Sequence, residues 1–257
     1  IVMRLVGSEM CIRDSDEGVE IMRHTLTAQV LARAIKNLYP KSKLAIGPTV
    51  QDGFYYDVES DESISSDDLS KIEEEMKKII KTKSAITKKL VSKKDALKIF
   101  KSNKEPYKEI IINESDQDDN FQLYYQDDEE FVDLCRGPHL PNLGFIGSFK
   151  LTKVSGAYWK GDSKNSMLTR IYGTAFSNDK DLQNHLDNIE EALKRDHRKL
   201  GKEMDLFHFQ DEAPGMVFWH PNGWTIYRKL RNFVRDRLKE NNYIEVNTPQ
   251  VIDRKLW

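Results

Sequence analysis

Cys135-Arg136-Gly137-Pro138-His139 places a thiol and an imidazole four residues apart. On a helix that spacing would bring both to one face; Gly137-Pro138 argues for a turn instead, and a turn can also converge them. Asp133, two residues before Cys135, would share its side of a strand. Far upstream, Arg23-His24-Thr25 stands where a helical apolar period begins, which predicts a helix starting at Thr25 with His24 at its mouth. The positive end of a helix dipole would favour the neutral imidazole there. A neutral imidazole is a general base or a metal ligand, so His24 and His139 are candidates for either role, with Cys135 a possible third metal ligand. Taken alone, Cys-x3-His also fits a buried structural cysteine beside a satisfied histidine.

The elements that must position these groups follow from periodicity. Thr25–Leu38 reads as a helix stopped before Pro40, and Lys43–Val58 as a hairpin turning at Gln51-Asp52-Gly53. Ser66–Thr82 and Asp95–Phe100 read as helices. Strand candidates are Ile110–Asn113, Phe121–Tyr125, Phe131–Leu134, Phe149–Thr152, Ala157–Trp159 and Thr169–Thr174. Hairpin-linked strands interleaved with helices predict an α+β fold. Asp181–Lys202 carries the stripe Leu182, Leu186, Ile189, Leu193 and Leu200, the pattern of one long connecting helix. Beyond it, Met216–Trp219 and Tyr243–Val246 read as strands, the latter stopped by Pro249, and Trp224–Glu240 as a helix preceded by Gly223.

Composition bounds the partners. The 257 residues carry 40 Lys+Arg against 42 Asp+Glu, a net charge of −2, so nucleic acid would have to meet a local patch. The charges are segregated: Glu59–Glu75 holds eight acids, Lys77–Lys104 eleven lysines and one acid, and Glu114–Asp133 nine acids. Such runs are usually solvated faces, and the lysine block is also a candidate phosphate-contacting surface. No apolar run reaches the roughly 18–20 residues of a membrane span. Two cysteines, Cys11 and Cys135, cannot make a disulfide scaffold, which points to a reducing cytoplasm. Residues 1–15 lack a helical period, and the codons GAG ATG TGT ATA AGA GAC AG, which would encode Glu9–Asp14 and open Ser15, read like a transposase mosaic end. Ile1–Ser15 is therefore read as adapter-derived, the alternative being a natural tail.

A resemblance covers almost everything from Asp16 onward. Arg23-His24-Thr25, Ala34–Pro40, Ala45-Ile46-Gly47-Pro48 and Gly53–Asp57 resemble, in order, motifs of threonyl-tRNA synthetases. So do Val132–His139, Gly156–Asp162, Arg170–Ala175, Asp196–Lys199, Ala213–His220 and Gly223-Trp224. The resemblance implies an editing (second additional) domain over 16–178, a linker helix over 179–203, and over 204–257 the start of a class II catalytic domain through motif 1. On this reading the chain stops before the parts that bind ATP, Mg2+ and Zn2+, so no cofactor is expected in it. The implied partners are the acceptor end of tRNA(Thr) and, through motif 1, a second copy of the chain; no membrane is involved and the compartment is the cytoplasm.

The resemblance also implies roles. His24, Lys108, Asp133, Cys135 and His139 would form the editing site, with Gly47, Pro48, Tyr56 and Arg136 against the substrate. The reaction would be hydrolysis of Ser-tRNA(Thr), because a missing methyl yields only about 1–3 kcal/mol of discrimination in a synthetic site. One departure stands out. The family pattern is His-x3-His, whereas here Gln29 stands in place of the second His and the spacing is five residues. Since one added residue turns an α-helix by about 100°, His24 and Gln29 need not share a face. The second expectation is therefore an editing-inactive module that still grips the acceptor end; a freestanding deacylase is a weaker third.

Overall fold

The computed structural model describes residues 15–117, 119–127 and 131–247. Cys11, Pro249 and all but Ser15 of the suspected adapter stretch lie outside them. Among the described residues two compact units divide between Leu186 and Asp187.

The first unit opens with one continuous helical run. α1 (Asp16–Thr25) starts at Ser15, whose hydroxyl accepts the Gly18 N–H at 3.1 Å, with Asp16 and Glu17 in the first turn. The run passes through a π-helical segment, Leu26–Leu31, and ends as α2 (Ala32–Leu38). The helix thus begins nine residues before the expected Thr25, because Ser15 is an effective cap and the polar first turn hides the period. Within the π segment the Ala32 N–H bonds back to Thr27 O, five residues away.

β1 (Lys43–Leu44), β2 (Thr49–Val50), β3 (Gly53–Glu59), β7 (Ser148–Tyr158) and β8 (Met167–Phe176) form an antiparallel sheet of order β1-β3-β8-β7, with β2 folded onto β3. The two short strands expected near residues 149 and 157 are one strand, β7, bulged between Leu151 and Lys153. The helical run and α3 (Leu69–Lys81) cover one face of this sheet. Leu26, Val30, Leu31 and Ile35 meet Phe54, Tyr56, Val58, Ile72, Met76 and Ile171, all of them buried. α3 is entered through a 3-10 turn, Ser66–Asp68, closed by a Ser65/Asp68 capping box.

A second layer is built from β4 (Ile86–Val91), β5 (Phe121–Gln126) and β6 (Phe131–Leu134), packed on α4 (Lys93–Ser102) and α5 (Pro106–Glu114). β4 was missed because Lys88 and Lys89 interrupt its apolar pattern. The expected strand Ile110–Asn113 is the second half of α5. Pro106 at the start of the helix presets its first turn, and Ile112 packs into the cluster around Phe100 and Leu123. Tertiary burial overrides the β-branched preference.

In the second unit the expected single helix is two, α6 (Asp179–Lys194), which crosses the division at Leu186, and α7 (His197–Glu203). Asp196 breaks it by accepting the Arg198 N–H at 2.7 Å, which caps a new helix rather than extending the old one. β9 (Phe207–His208) and β10 (Phe218–Trp219) pair, and α8 (Pro221–Glu240) follows. Met216 and Val217 are not in a strand, Gly223 lies inside the first turn of α8, and Tyr243–Val246 is irregular rather than extended in a sheet.

Phe54 is fully buried and its ring packs on Gly173 of the neighbouring strand. Phe54→Ala is expected to lower unfolding free energy by about 3–5 kcal/mol in urea titrations followed by circular dichroism; a loss below about 1 kcal/mol would refute this packing.

Candidate active site

The groups singled out in the sequence come from five segments. His24 lies in the last turn of α1, not at a helix N-terminus as expected, since the helix starts at Asp16. Tyr56 is on β3, Lys108 on α5 and Asp133 on β6; Cys135, Arg136, Gly137, Pro138 and His139 follow β6. Gly47 and Pro48 lie between β1 and β2.

Local packing aims Lys108 inward. The Glu105 carboxylate, at the entrance to α5, accepts the Leu44 N–H at 2.6 Å and pairs with Lys36 at 2.7 Å. Tyr107 bonds to Glu59 and meets Trp159 edge-on at 4.8 Å. With both neighbours fixed, the Lys108 ammonium reaches Asp133 Oδ1 at 2.6 Å and donates to Tyr56 Oη at 3.3 Å. Tyr56 in turn donates to Asp133 Oδ2 at 3.4 Å. Lys108 is 3%, Asp133 2% and Tyr56 0% exposed, so this ion pair sits away from water.

The second cluster is half-buried. Cys135 Sγ lies 2.9 Å from His24 Nε2, and the His24 and His139 rings are 4.6 Å apart. Tyr124 meets His139 edge-on at 4.4 Å. His24 Nδ1 is 3.3 Å from Pro138 O, while His139 Nδ1 is 3.2 Å from the buried Thr25 hydroxyl. One donor atom each from His24, Cys135 and His139 lies within 4.8 Å of the others, a soft or borderline set suited to a zinc-like ion.

Burial dominates the electrostatics. It pushes the His139 imidazole down to about 3, helped by His24, and lowers His24 against the Pro138 carbonyl and Asp133. It raises the Cys135 thiol to about 11 and lifts Asp133 against the pull of Lys108. His24 is therefore neutral at pH 7, as expected, but through desolvation rather than a helix dipole.

Two glycines are dictated by close approach. A Cβ on Gly47 would sit 2.2 Å from the Tyr56 ring, and one on Gly137, at φ +65°, 2.0 Å from the Tyr124 hydroxyl. His24, Pro48, Gly137 and Pro138 line an open cleft of about 520 Å³ with Glu17, Glu20, Ile21 and Thr49. Arg136 is exposed beside it and joins neither cluster.

Gln29 is fully buried but turned elsewhere. It accepts from Gln126 Nε2 through both its main-chain oxygen and, at 3.3 Å, its Oε1, and Gln126 Oε1 accepts from Arg33 at 2.8 Å. Its own Nε2 has no partner, and it bonds to none of His24, Cys135 or His139. Gln29 lies inside the π segment, and α2 beyond it keeps Ala32, Ala34 and Ile35 in the core. Sequence reasoning missed Thr25, Tyr124, Glu105 and Lys36 as parts of the site. Thr25 alone carried a signal, being a hydroxyl within an otherwise apolar helical stripe.

Residues 122–172 match the family described as the threonyl and alanyl tRNA synthetase second additional domain. The chain is thus of the aminoacyl-tRNA synthetase class that carries this domain. It is 54% identical over 241 residues to the threonine–tRNA ligase of Prochlorococcus marinus (strain MIT 9211), covering 94% of this chain and 37% of that protein. It is 52% identical over 242 residues to that of Legionella pneumophila (strain Corby), covering 94% and 38%. The chain belongs to the threonyl-tRNA synthetase family, and it spans a little over a third of the length of these relatives.

Two outcomes test the site's electrostatics. With its thiol near 11, Cys135 should be alkylated by iodoacetamide at about pH 8 far more slowly than a free cysteine; a rate equal to that of the urea-unfolded chain would contradict the burial. The low His139 value means the fold prefers the neutral ring, so its stability contribution is complete above about 6.5 and drains away as pH falls toward about 3. Urea midpoints should fall across that window and fall less for His139→Gln.

Proposed function

We propose that this domain hydrolyses the aminoacyl ester of Ser-tRNA(Thr), and that ATP-dependent threonylation belongs to the longer enzyme, of which the relatives are about two and a half times this length. The observation that carries the reading is the buried Lys108–Asp133–Tyr56 cluster beside two neutral imidazoles. Water adds to the ester carbonyl, the carbon–oxygen bond to ribose breaks, and the ribose oxygen takes up a proton. His24, neutral at pH 7, orients and deprotonates the water. The Lys108 ammonium stabilises the developing oxyanion or the leaving oxygen. Asp133 keeps one oxygen on Lys108 and offers the other to the serine amino group. Cys135, protonated at neutral pH, shapes the pocket with His139 and forms no thioester. Should a zinc-like ion occupy the cluster, His24, Cys135 and His139 would hold it, and it would polarise a carbonyl or bound water.

The longer enzyme is read as cytoplasmic and dimeric; no described helix is long and apolar enough to cross a membrane. The dimer reading is supported by α8, where Leu230, Phe233 and Val234 are about half exposed or more. The editing-inactive acceptor-end module remains a second reading, favoured by Gln29 turning to Gln126 rather than to the pocket.

Deacylation of Ser-tRNA(Thr) and Thr-tRNA(Thr) separates the two. The chain is expected to clear the seryl ester selectively, and Lys108→Met to slow it by about 10²–10³-fold. A Gln29→His form lacking one residue of the π segment should be no more than modestly faster. Activity appearing only in that form would establish the inactive module.

A further inference from the structure

Thr25 has one hydroxyl proton and three neighbours. Ile21 O lies at 2.8 Å and, being a carbonyl, only accepts. The Leu140 N–H, at 2.9 Å, only donates. With its proton on Ile21 O, the hydroxyl can meet His139 Nδ1, at 3.2 Å, only as an acceptor. His139 must then carry its proton on Nδ1, and its Nε2, buried and without a partner, is a bare lone pair. His24 is set the same way by a different group: Pro138 O accepts from its Nδ1, which leaves Nε2 to accept a hydrogen bond from the Cys135 thiol at 2.9 Å. Two oxygens thus turn two adjacent imidazoles so that both present an unprotonated Nε2.

We propose that Thr25 is a positioning residue that holds His139 in its Nδ1–H tautomer and so keeps a bare Nε2 directed into the site. The role is reached through His139 and not through substrate. The claim about catalysis rests on the ester-hydrolase reading; the claim about the tautomer does not. Thr25 acts from the last residue of α1, just before the π segment, and the residue it orients is 114 positions away. Its bond to Leu140 also ties down the backbone immediately after His139. Which ring nitrogen is free is set by the partner of the other, and loss of such outer partners typically costs about 10–100-fold in activity or ligand affinity.

The test is the histidine tautomer, read by long-range 1H–15N correlation spectra of the full chain labelled at histidine, at neutral pH. Wild type and Thr25→Ser should both show His139 protonated at Nδ1. Thr25→Val, which keeps the shape and removes the hydroxyl, should move His139 toward the Nε2–H form. Ser-tRNA(Thr) hydrolysis should fall by about 10–100-fold in Thr25→Val and recover in Thr25→Ser. A wild-type His139 protonated at Nε2, or a Thr25→Val spectrum unchanged at His139, overturns the proposal. If Thr25→Val fails to fold, the wild-type and Thr25→Ser spectra decide alone. A tautomer that shifts as expected while no variant, wild type included, cleaves the ester sustains the positioning role and sinks the hydrolase reading instead.

Discussion

The Lys108–Asp133 ion pair, 2.6 Å long and almost wholly out of water, is the constraint around which the first unit is organised. Two charges removed from solvent stand only if each lone pair and proton has a partner, and leaving one of them alone costs about 3–5 kcal/mol. The structure meets that demand from separate elements. Tyr56 of β3 bridges both charges, and the Leu134 N–H supplies Asp133 Oδ1 with a further donor at 2.8 Å. Glu105 and Lys36 anchor the helix that carries Lys108. Gly47 leaves the space that the Tyr56 ring occupies. Such a pair adds little net stability, because the cost of removing both charges from water offsets most of their attraction.

The thiol–imidazole cluster is organised on the opposite principle. Nothing there pairs a charge; desolvation keeps both imidazoles and the thiol neutral. A charged half and a neutral half sit close enough for Asp133 to act on both His24 and Cys135. A site built this way can move a proton in one half while the other half holds charge against the transition state.

The helical run from Asp16 to Leu38 widens once, in the π segment Leu26–Leu31. An insertion that stayed α-helical would swing every later side chain by about 100° and pull Ile35 off the core. Here the wider step is confined to the π segment, and Ile35 in α2 is at 0% exposure. Within that segment Gln29 is buried with an unpartnered amide nitrogen and bonds to Gln126.

Much of this was legible from the chain. The strand Phe131–Leu134 lies where alternation put it, α3 and α4 follow their apolar periods, and Gln51-Asp52 does turn a hairpin. What failed did so for identifiable reasons. Ile110–Asn113 looked extended because periodicity cannot separate a short apolar strand from a buried helical turn. Asp181–Lys202 looked continuous because its stripe says nothing of Asp196 preferring to cap. The chemistry divides along the same line. By itself the sequence determined which groups are present, namely two histidines, a thiol, a lysine and an aspartate, and it determined the family through motifs in a fixed order. Only the tertiary structure decided which nitrogen is free on each ring, which acid meets Lys108, and which way Gln29 faces. Protonation, tautomer and pairing are set by desolvation and by the nearest donor or acceptor, and here those come from segments up to 114 residues apart, which no local pattern records.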